Sequence, residues 1–383
     1  MREPPARSRR EQIVGLAARG IDLLARPVYG PMPQPDAVRR ILVVKPCCLG
    51  DLLMATPALR ALKRRFPGAT IDVLTGPWSA PALVGNPHVC RVLAYPIRTS
   101  PRSLLALVRD LRATRYDLGV GLDRSPIVNA LLWRARIPER AGIDNQGRGV
   151  GLTRRAVPQS GQHETDLFLE VVRGVGAPDV GRDPEYVVDA ARRDSAGELL
   201  PAGGGPLVII HPGGAVNPGA TMPSKRWAAE SFAALADLAT RDLGARTVLV
   251  GAESDREVVE QVRRAATSPL SDLCGQLDFP TLAAVVSLAN VYVGNDSGTG
   301  HLAAAVGTPT VTIFGPTSPR RYRPLGANSR VCAPPASWAL SDHVDLRAGR
   351  PGSDATDIAR VTPGEVFHAV REALAASAVG RMP

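Results

Sequence analysis

The feature that most constrains this chain is an alternation of short β-rich apolar runs with amphipathic helical stripes, played through twice along 383 residues. In the first pass ILVVK (41–45), TIDVL (70–74), RVLAY (91–95) and DLGVGLD (117–123) read as buried strands. Between them, Leu52, Ala55, Leu59, Leu62 and Phe66 step at helical spacing from a start near Asp51, and 101–114 and 126–134 also read as helices. After the Pro/Gly-rich PAGGGP (201–206) the grammar restarts, with strands expected at LVIIH (207–211), RTVLV (246–250), VYVG (291–294) and TVTIF (310–314). Helices are expected at 227–241, 254–266, 280–289 and 299–306. Alternating β and α elements dictate parallel, doubly wound sheets, so the expected class is α/β with two such units. The expected division is 1–40, 41–200 and 201–383, with a linker near 195–205 and the strand-end loops of both units facing one cleft.

An apolar fraction of 44% and a charged fraction of 21% suit buried cores and exclude wholesale disorder. The net charge of +10 favours anionic partners such as phosphorylated sugars, acidic lipid head groups or nucleic acid, although Arg-rich usage alone also accounts for it. Five cysteines (Cys47, Cys48, Cys90, Cys274, Cys332) show no zinc spacing. Adjacent cysteines seldom bridge one another, so reduced thiols in a cytoplasmic protein are expected. No apolar run is long enough to span a bilayer, and no signal-peptide core follows Met1. Before the first strand, RREQIVGLAARGIDLLAR (9–26) carries Ile13, Leu16, Ile21 and Leu24 at helical spacing beside several arginines, and PVYGPMPQP follows. A surface-docking arm on an anionic membrane, or a helix packed on the body, are both readings of that segment.

Three segments carry the chemistry. In KPCCLGDLLMATPALRAL (45–62), Gly50 permits a tight loop, and Asp51 stands at the end of the first strand either as a helix N-cap or as a general base. In HPGGAVNPGATMPSKRWAAESFAAL (211–235), a glycine-rich backbone can approach a ligand. Lys225 ahead of a helix start makes a phosphate site, unless the loop is simply an exposed one. In VYVGNDSGTGHLAAAVGTPTVTIFGPTSPRR (291–321), Asp296, Ser297, Gly298 and His301 stand at a small-residue helix start suited to an anion; Asx turns and a packing histidine are the plainer alternative. Neither unit opens with GxGxxG, and no Walker A sequence is present, which disfavours a dehydrogenase and P-loop chemistry.

In this order and spacing the three segments resemble the bacterial heptosyltransferases, glycosyltransferase family 9. The resemblance rests on Leu49-Gly50-Asp51 with Thr56-Pro57-Ala58-Leu59, His211-Pro212-Gly213 with Lys225-Arg226-Trp227, Gly294 to Ala304, and Phe314-Gly315-Pro316-Thr317, over roughly 41–376. It implies a GT-B fold, two Rossmann-like units facing a central cleft, and inverting, metal-independent transfer of a heptose or related sugar from an ADP-sugar. No cofactor is implied. The resemblance further implies Asp51 as the base; Lys225, Ser297, Gly298 and His301 at the donor diphosphate; Asp296 at the donor sugar; Asp255 at the ribose; and the backbone near Leu277 at the adenine. Lys45 is implied near an acceptor phosphate, with Arg98, Arg102 and Arg124 as further acceptor candidates. The implied acceptor is a lipopolysaccharide-core-type or other cell-surface glycan, nucleic acid is not an expected partner, and the expected location is the cytoplasm or the inner face of the plasma membrane. Cys47-Cys48 and the insertion AVNPGATMPS (215–224) depart from the family pattern and leave the acceptor open. A transferase acting on a natural product, a nucleotide-sugar epimerase and a non-catalytic sugar-nucleotide-binding module are the competing readings.

Overall fold

The computed structural model describes residues 31–96, 100–217, 220–340 and 354–379. The segment 9–26 and Arg98 lie outside them. The first half is a six-stranded parallel sheet built from β1 (Arg40–Val44), β2 (Thr70–Thr75), β3 (Arg91–Ala94), β4 (Leu118–Gly121), β5 (Glu139–Ile143) and β6 (Arg154–Ala156), in the order β3-β2-β1-β4-β5-β6. The second half repeats that order. Its strands are β7 (Leu207–His211), β10 (Arg246–Leu249), β11 (Ser271–Asp272), β12 (Val291–Asn295), β13 (Thr310–Ile313) and β14 (Ser329–Cys332), arranged β11-β10-β7-β12-β13-β14. A short antiparallel pair, β8 (Val216–Asn217) and β9 (Ala220–Thr221), lies in the loop after β7.

Both sheets reverse their winding beside their first strand, between β1 and β4 and between β7 and β12. Such switch points open crevices at the carboxyl ends of the strands, and all three chemistry-bearing segments begin there. Register then decides which side chains meet. Val44 pairs with Gly121 and accepts from the Leu122 N–H, so Lys45 and Asp123 leave adjacent strands together. His211 pairs with Gly294, which sets the HPGG loop beside the Asn-Asp-Ser loop.

The expected helix from Asp51 is two helices, Leu49–Met54 and Thr56–Arg65, meeting at Ala55. Pro57 has no N–H to carry the first ladder onward, yet Leu52, Ala55, Leu59, Leu62 and Phe66 all remain buried, as their spacing requires. The helix Ala190–Glu198 runs through the start of the stretch read as a linker, and its Ala196 joins the core of the second sheet. The core of the first half is completed by Ala283, Leu302 and Ala305 from the second, so the two units share buried apolar surface. Among the described residues no helix is long and apolar enough to cross a membrane.

Candidate active site

β1 delivers Lys45 to the bottom of the crevice, where it is 4% exposed. Its ammonium donates to Asp123 Oδ2 at 3.1 Å, stands 3.1 Å from Asp51 Oδ2, and lies 5.9 Å from the Phe168 ring centre. Burial opposes a charged lysine, but the two carboxylates override it and hold the ammonium protonated. The structure thus places Lys45 between two acids, whereas the family resemblance implied an acceptor-phosphate contact.

Asp51 is the third residue of Leu49–Met54, within its first turn; Cys48 occupies the N-cap position and makes no side-chain cap. The N-cap alternative for Asp51 is therefore corrected. About 31% of its side chain is open to the cleft. Desolvation lifts its carboxyl above the ordinary carboxylate range, Lys45 pulls it back, and Glu164 and Asp123 push it further up. A partly exposed carboxylate with raised proton affinity is suited to accept a proton.

Two expectations about this loop change. Gly50 is helical, and its lack of a side chain answers a close approach rather than a tight loop: a Cβ there would stand 2.7 Å from His301 Cδ2. Cys47 and Cys48 are bonded to each other across a cis peptide, which brings neighbouring cysteines within reach, whereas Cys90, Cys274 and Cys332 are free.

The second half supplies the cationic side. Lys225 lies in the 3-10 turn Pro223–Lys225, and the following helix begins only at Ala229. Buried Trp227 gives its N–H to Asn295 Oδ1 at 3.0 Å, while Asn295 Nδ2 donates to the carbonyls of Pro212 and Gly213. Asn295 thus ties the two second-half loops together. Lys225 consequently meets Asp296, at 2.6 Å, rather than a helix start; Asp296 also accepts from Thr317 Oγ1 at 2.7 Å.

Ser297 occupies the N-cap position of the helix Gly298–Ala305, and its Oγ lies 3.5 Å from His211 Nδ1. His301 is buried, its Nδ1 has no hydrogen-bond partner among the described residues, and burial pushes its pKa down to about 4, so the ring is neutral at pH 7. A Cβ on Gly298 would lie 3.1 Å from Leu49 Cβ and 3.3 Å from Gly50 N. The starts of two helices, one from each half, therefore abut beside Asp51.

The remaining candidates spread outward. Asp255 is buried and accepts from the Gly214 and Ala252 N–H groups at 3.1 Å each, with His211 Nε2 at 3.4 Å. Burial would raise its pKa, yet His211 and these N–H groups bring it to about 2. Its carboxylate braces the HPGG loop from within. Glu253 in the same turn is largely exposed. Leu277 is half-buried just beyond β11, and Arg102 is exposed on the first turn of Pro101–Thr114. Arg124 reaches Glu164 Oε1 at 2.8 Å, where it meets Arg321 from the second half at 2.5 Å.

Sequence reasoning missed Asp123, Glu164 and Arg321. The first could have been found from its place at the end of β4; the other two show only once the halves are assembled. Among the described residues no group of three or more His, Cys, Asp or Glu is arranged to hold a metal ion. A hollow of about 500 Å³ lined by Arg40, Thr70, Asp72 and Arg91 lies at the amino ends of β1–β3, the end of the sheet away from this cluster.

Residues 104–345 match the model of glycosyltransferase family 9 (heptosyltransferase). The chain is 29% identical to lipopolysaccharide heptosyltransferase 3 of Escherichia coli K12 over 293 residues, covering 73% of this chain and 83% of that protein. It is 26% identical to lipooligosaccharide heptosyltransferase 2 of Haemophilus influenzae over 310 residues, covering 76% and 87%. Among solved structures, a family 9 glycosyl transferase from Veillonella parvula superposes with a TM-score of 0.76 at 22% identity, covering 88% and 98% of the two chains. Escherichia coli ADP-heptose heptosyltransferase II gives 0.71 at 23% identity, covering 88% and 99%. The shared architecture is GT-B, and the chain belongs to glycosyltransferase family 9, a family of sugar-transferring enzymes.

Proposed function

We propose that the protein transfers a heptose from ADP-heptose to a hydroxyl of a lipopolysaccharide-core-type acceptor, in one inverting displacement that needs no metal. The observation that carries this reading is that the helix bearing Asp51 abuts the Gly298–Ala305 helix start of the other half, which is capped by Ser297 next to the Asp296 that pairs with Lys225. Asp51 takes the acceptor hydroxyl proton as the oxygen attacks the anomeric carbon. The bond from that carbon to the diphosphate breaks, and ADP departs with the electron pair. The charge gathered on the diphosphate is met by Lys225 and the helix start. Attack opposite the leaving group inverts the anomeric centre. Heptose as the transferred sugar is supported by the heptosyltransferases among the relatives and by two fold neighbours, Escherichia coli heptosyltransferase with ADP and with ADP-2-deoxy-2-fluoro heptose.

In this reading Asp296, freed from Lys225, holds sugar hydroxyls, and the loop bearing Leu277 flanks the base. Asp255 orders the HPGG backbone behind the ribose. Arg98, Arg102 and Arg124 are the arginines assigned to recognition of the acceptor. Residues 9–26 hold the enzyme peripherally on the inner face of the membrane, where a lipid-linked acceptor is presented.

Incubation with ADP-heptose, with and without a core-type acceptor, tests the proposal. Acceptor-dependent ADP release with an inverted product supports it. Release without acceptor would point to an epimerase, and binding without turnover to a sugar-nucleotide-binding module. Loss of activity on chelation, restored by magnesium or manganese, would overturn the metal-free step.

A further inference from the structure

Asp51 presents a difficulty for a base. A carboxylate bonded to a buried ammonium 3.1 Å away is ordinarily a poor proton acceptor, because an adjacent cation favours its charged form. The surroundings hold the compensation. Lys45 is shared with Asp123, and the helix Glu164–Arg173 turns one face to this corner, with Phe168 against the Lys45 ammonium and Glu164 one turn earlier. Glu164 is 6% exposed, and its Oε1 receives Arg124 from the first half and Arg321 from the second.

The same wall is tied across the halves again. His163 Nε2 meets the Arg323 carbonyl at 2.9 Å while its Nδ1 accepts from the Thr165 N–H, and Tyr322 packs on the core of the first half. An acid this deeply buried stays charged only when paired, and two guanidiniums supply the pairing.

We propose that Glu164 is a positioning residue for Asp51: a carboxylate fixed in the cleft wall by one arginine from each half, whose negative charge offsets that of Lys45 so that the base is not silenced. The proposal rests on reading Asp51 as the base. The charged groups facing Asp51 are Lys45 and Asp123 from the strand ends and Glu164 with its two arginines, with Tyr322 beside them. From the opposing helix comes His301, which is neutral. The 3-10 turn Ala80–Leu83 carries no ionisable side chain, and the helix Thr56–Arg65 directs Arg60 to Glu185 and Lys63 to the Ala69 carbonyl. Glu164 and Asp123 are thus the acids that raise the proton affinity of Asp51.

The test is the pH dependence of kcat/KM in the full-length enzyme. Glu164→Gln keeps a hydrogen-bond acceptor for the arginines but removes the charge. Its acid limb should move down by roughly one pH unit, with a lower plateau from the weaker base. Arg124→Gln removes a cation and leaves Glu164 held by Arg321, so its limb should move up; this variant carries the test if Glu164→Gln does not fold. Reduced rates with unmoved limbs in the folded variants, or a limb moving opposite to these signs, would overturn the proposal. Asp51→Asn separates the two levels: an acid limb and rate equal to wild type there would mean that Asp51 is not the base, whatever Glu164 does.

Discussion

A Cβ on Gly50 would stand 2.7 Å from His301 Cδ2, so the helix that carries the proposed base is in contact with the helix whose start is proposed to meet the donor. Two effects compete on replacing Gly50 by Ala. Alanine in a helix gains about 0.5–1 kcal/mol over glycine, whereas overpacking a filled contact costs about 1–3 kcal/mol. Overpacking wins unless the imidazole moves. Gly50→Ala should therefore be destabilised in urea unfolding and slowed in turnover. Adding His301→Ala should recover part of the stability, as a double-mutant cycle would show. Additive losses would mean that the contact is not shared.

Asp51→Asn should retain stability and lose roughly 10²–10⁴-fold in turnover. Because Cys48 occupies the N-cap position and buried Lys45 keeps Asp123 as its partner, Asp51→Ala should also fold nearly as well as wild type. Asp51 has a raised carboxyl pKa, so wild-type activity should climb with pH through a limb above the ordinary carboxylate range. Near-normal turnover of the asparagine variant would return Asp51 to a packing role.

The sequence made the strands around both switch points legible, since ILVVK, LVIIH and VYVG are β-rich and flanked by loops. β5 and β6 escaped notice because ERAGI and RRA open on charged residues that the sheet nonetheless pairs, Ala141 against Arg154. The start of Glu164–Arg173 is similarly polar, although Glu164 itself is buried. At the site, local chemistry was visible and pairing was not. That Lys225 meets Asp296, or that Arg321 meets Glu164 across 157 positions, depends on sheet register and on the docking of two halves. No window of sequence contains either relationship. Gly50 illustrates the same limit: its glycine was visible, but its cause is a histidine in the other half.

Asp255 gives a stability prediction with a defined pH window. Holding its carboxyl at about 2 against an ordinary 3.8 corresponds to about 2 kcal/mol in favour of the folded state. The folded pKa is depressed, so this contribution is present above the unfolded value and is lost as pH falls through the folded one. Asp255→Asn should be less stable than wild type by about that amount at pH 7. The gap should narrow between about pH 4 and pH 2. A gap independent of pH would assign the loss to packing around Asp255 rather than to its charge.

Lys225 and Asp296 form a buried pair, which complicates any single substitution. Removing one partner of such a pair strands the other charge and costs about 3–5 kcal/mol, while removing both is often near neutral. Lys225→Met should therefore unfold easily, and its weak ligand binding would say little about the donor. Lys225→Met combined with Asp296→Asn should recover stability and remove the cation proposed to meet the diphosphate. For wild type, ADP at a hundredfold excess over its dissociation constant should stabilise the fold by about 2.7 kcal/mol. At the same ADP concentration the double variant should gain far less, because the diphosphate would face only the Gly298–Ala305 helix start. UDP serves as the control, and stabilisation of wild type by UDP compounds but not by ADP compounds would reassign the donor. A folded double variant stabilised by ADP as strongly as wild type would remove Lys225 from the donor site and leave the helix start to carry the charge alone.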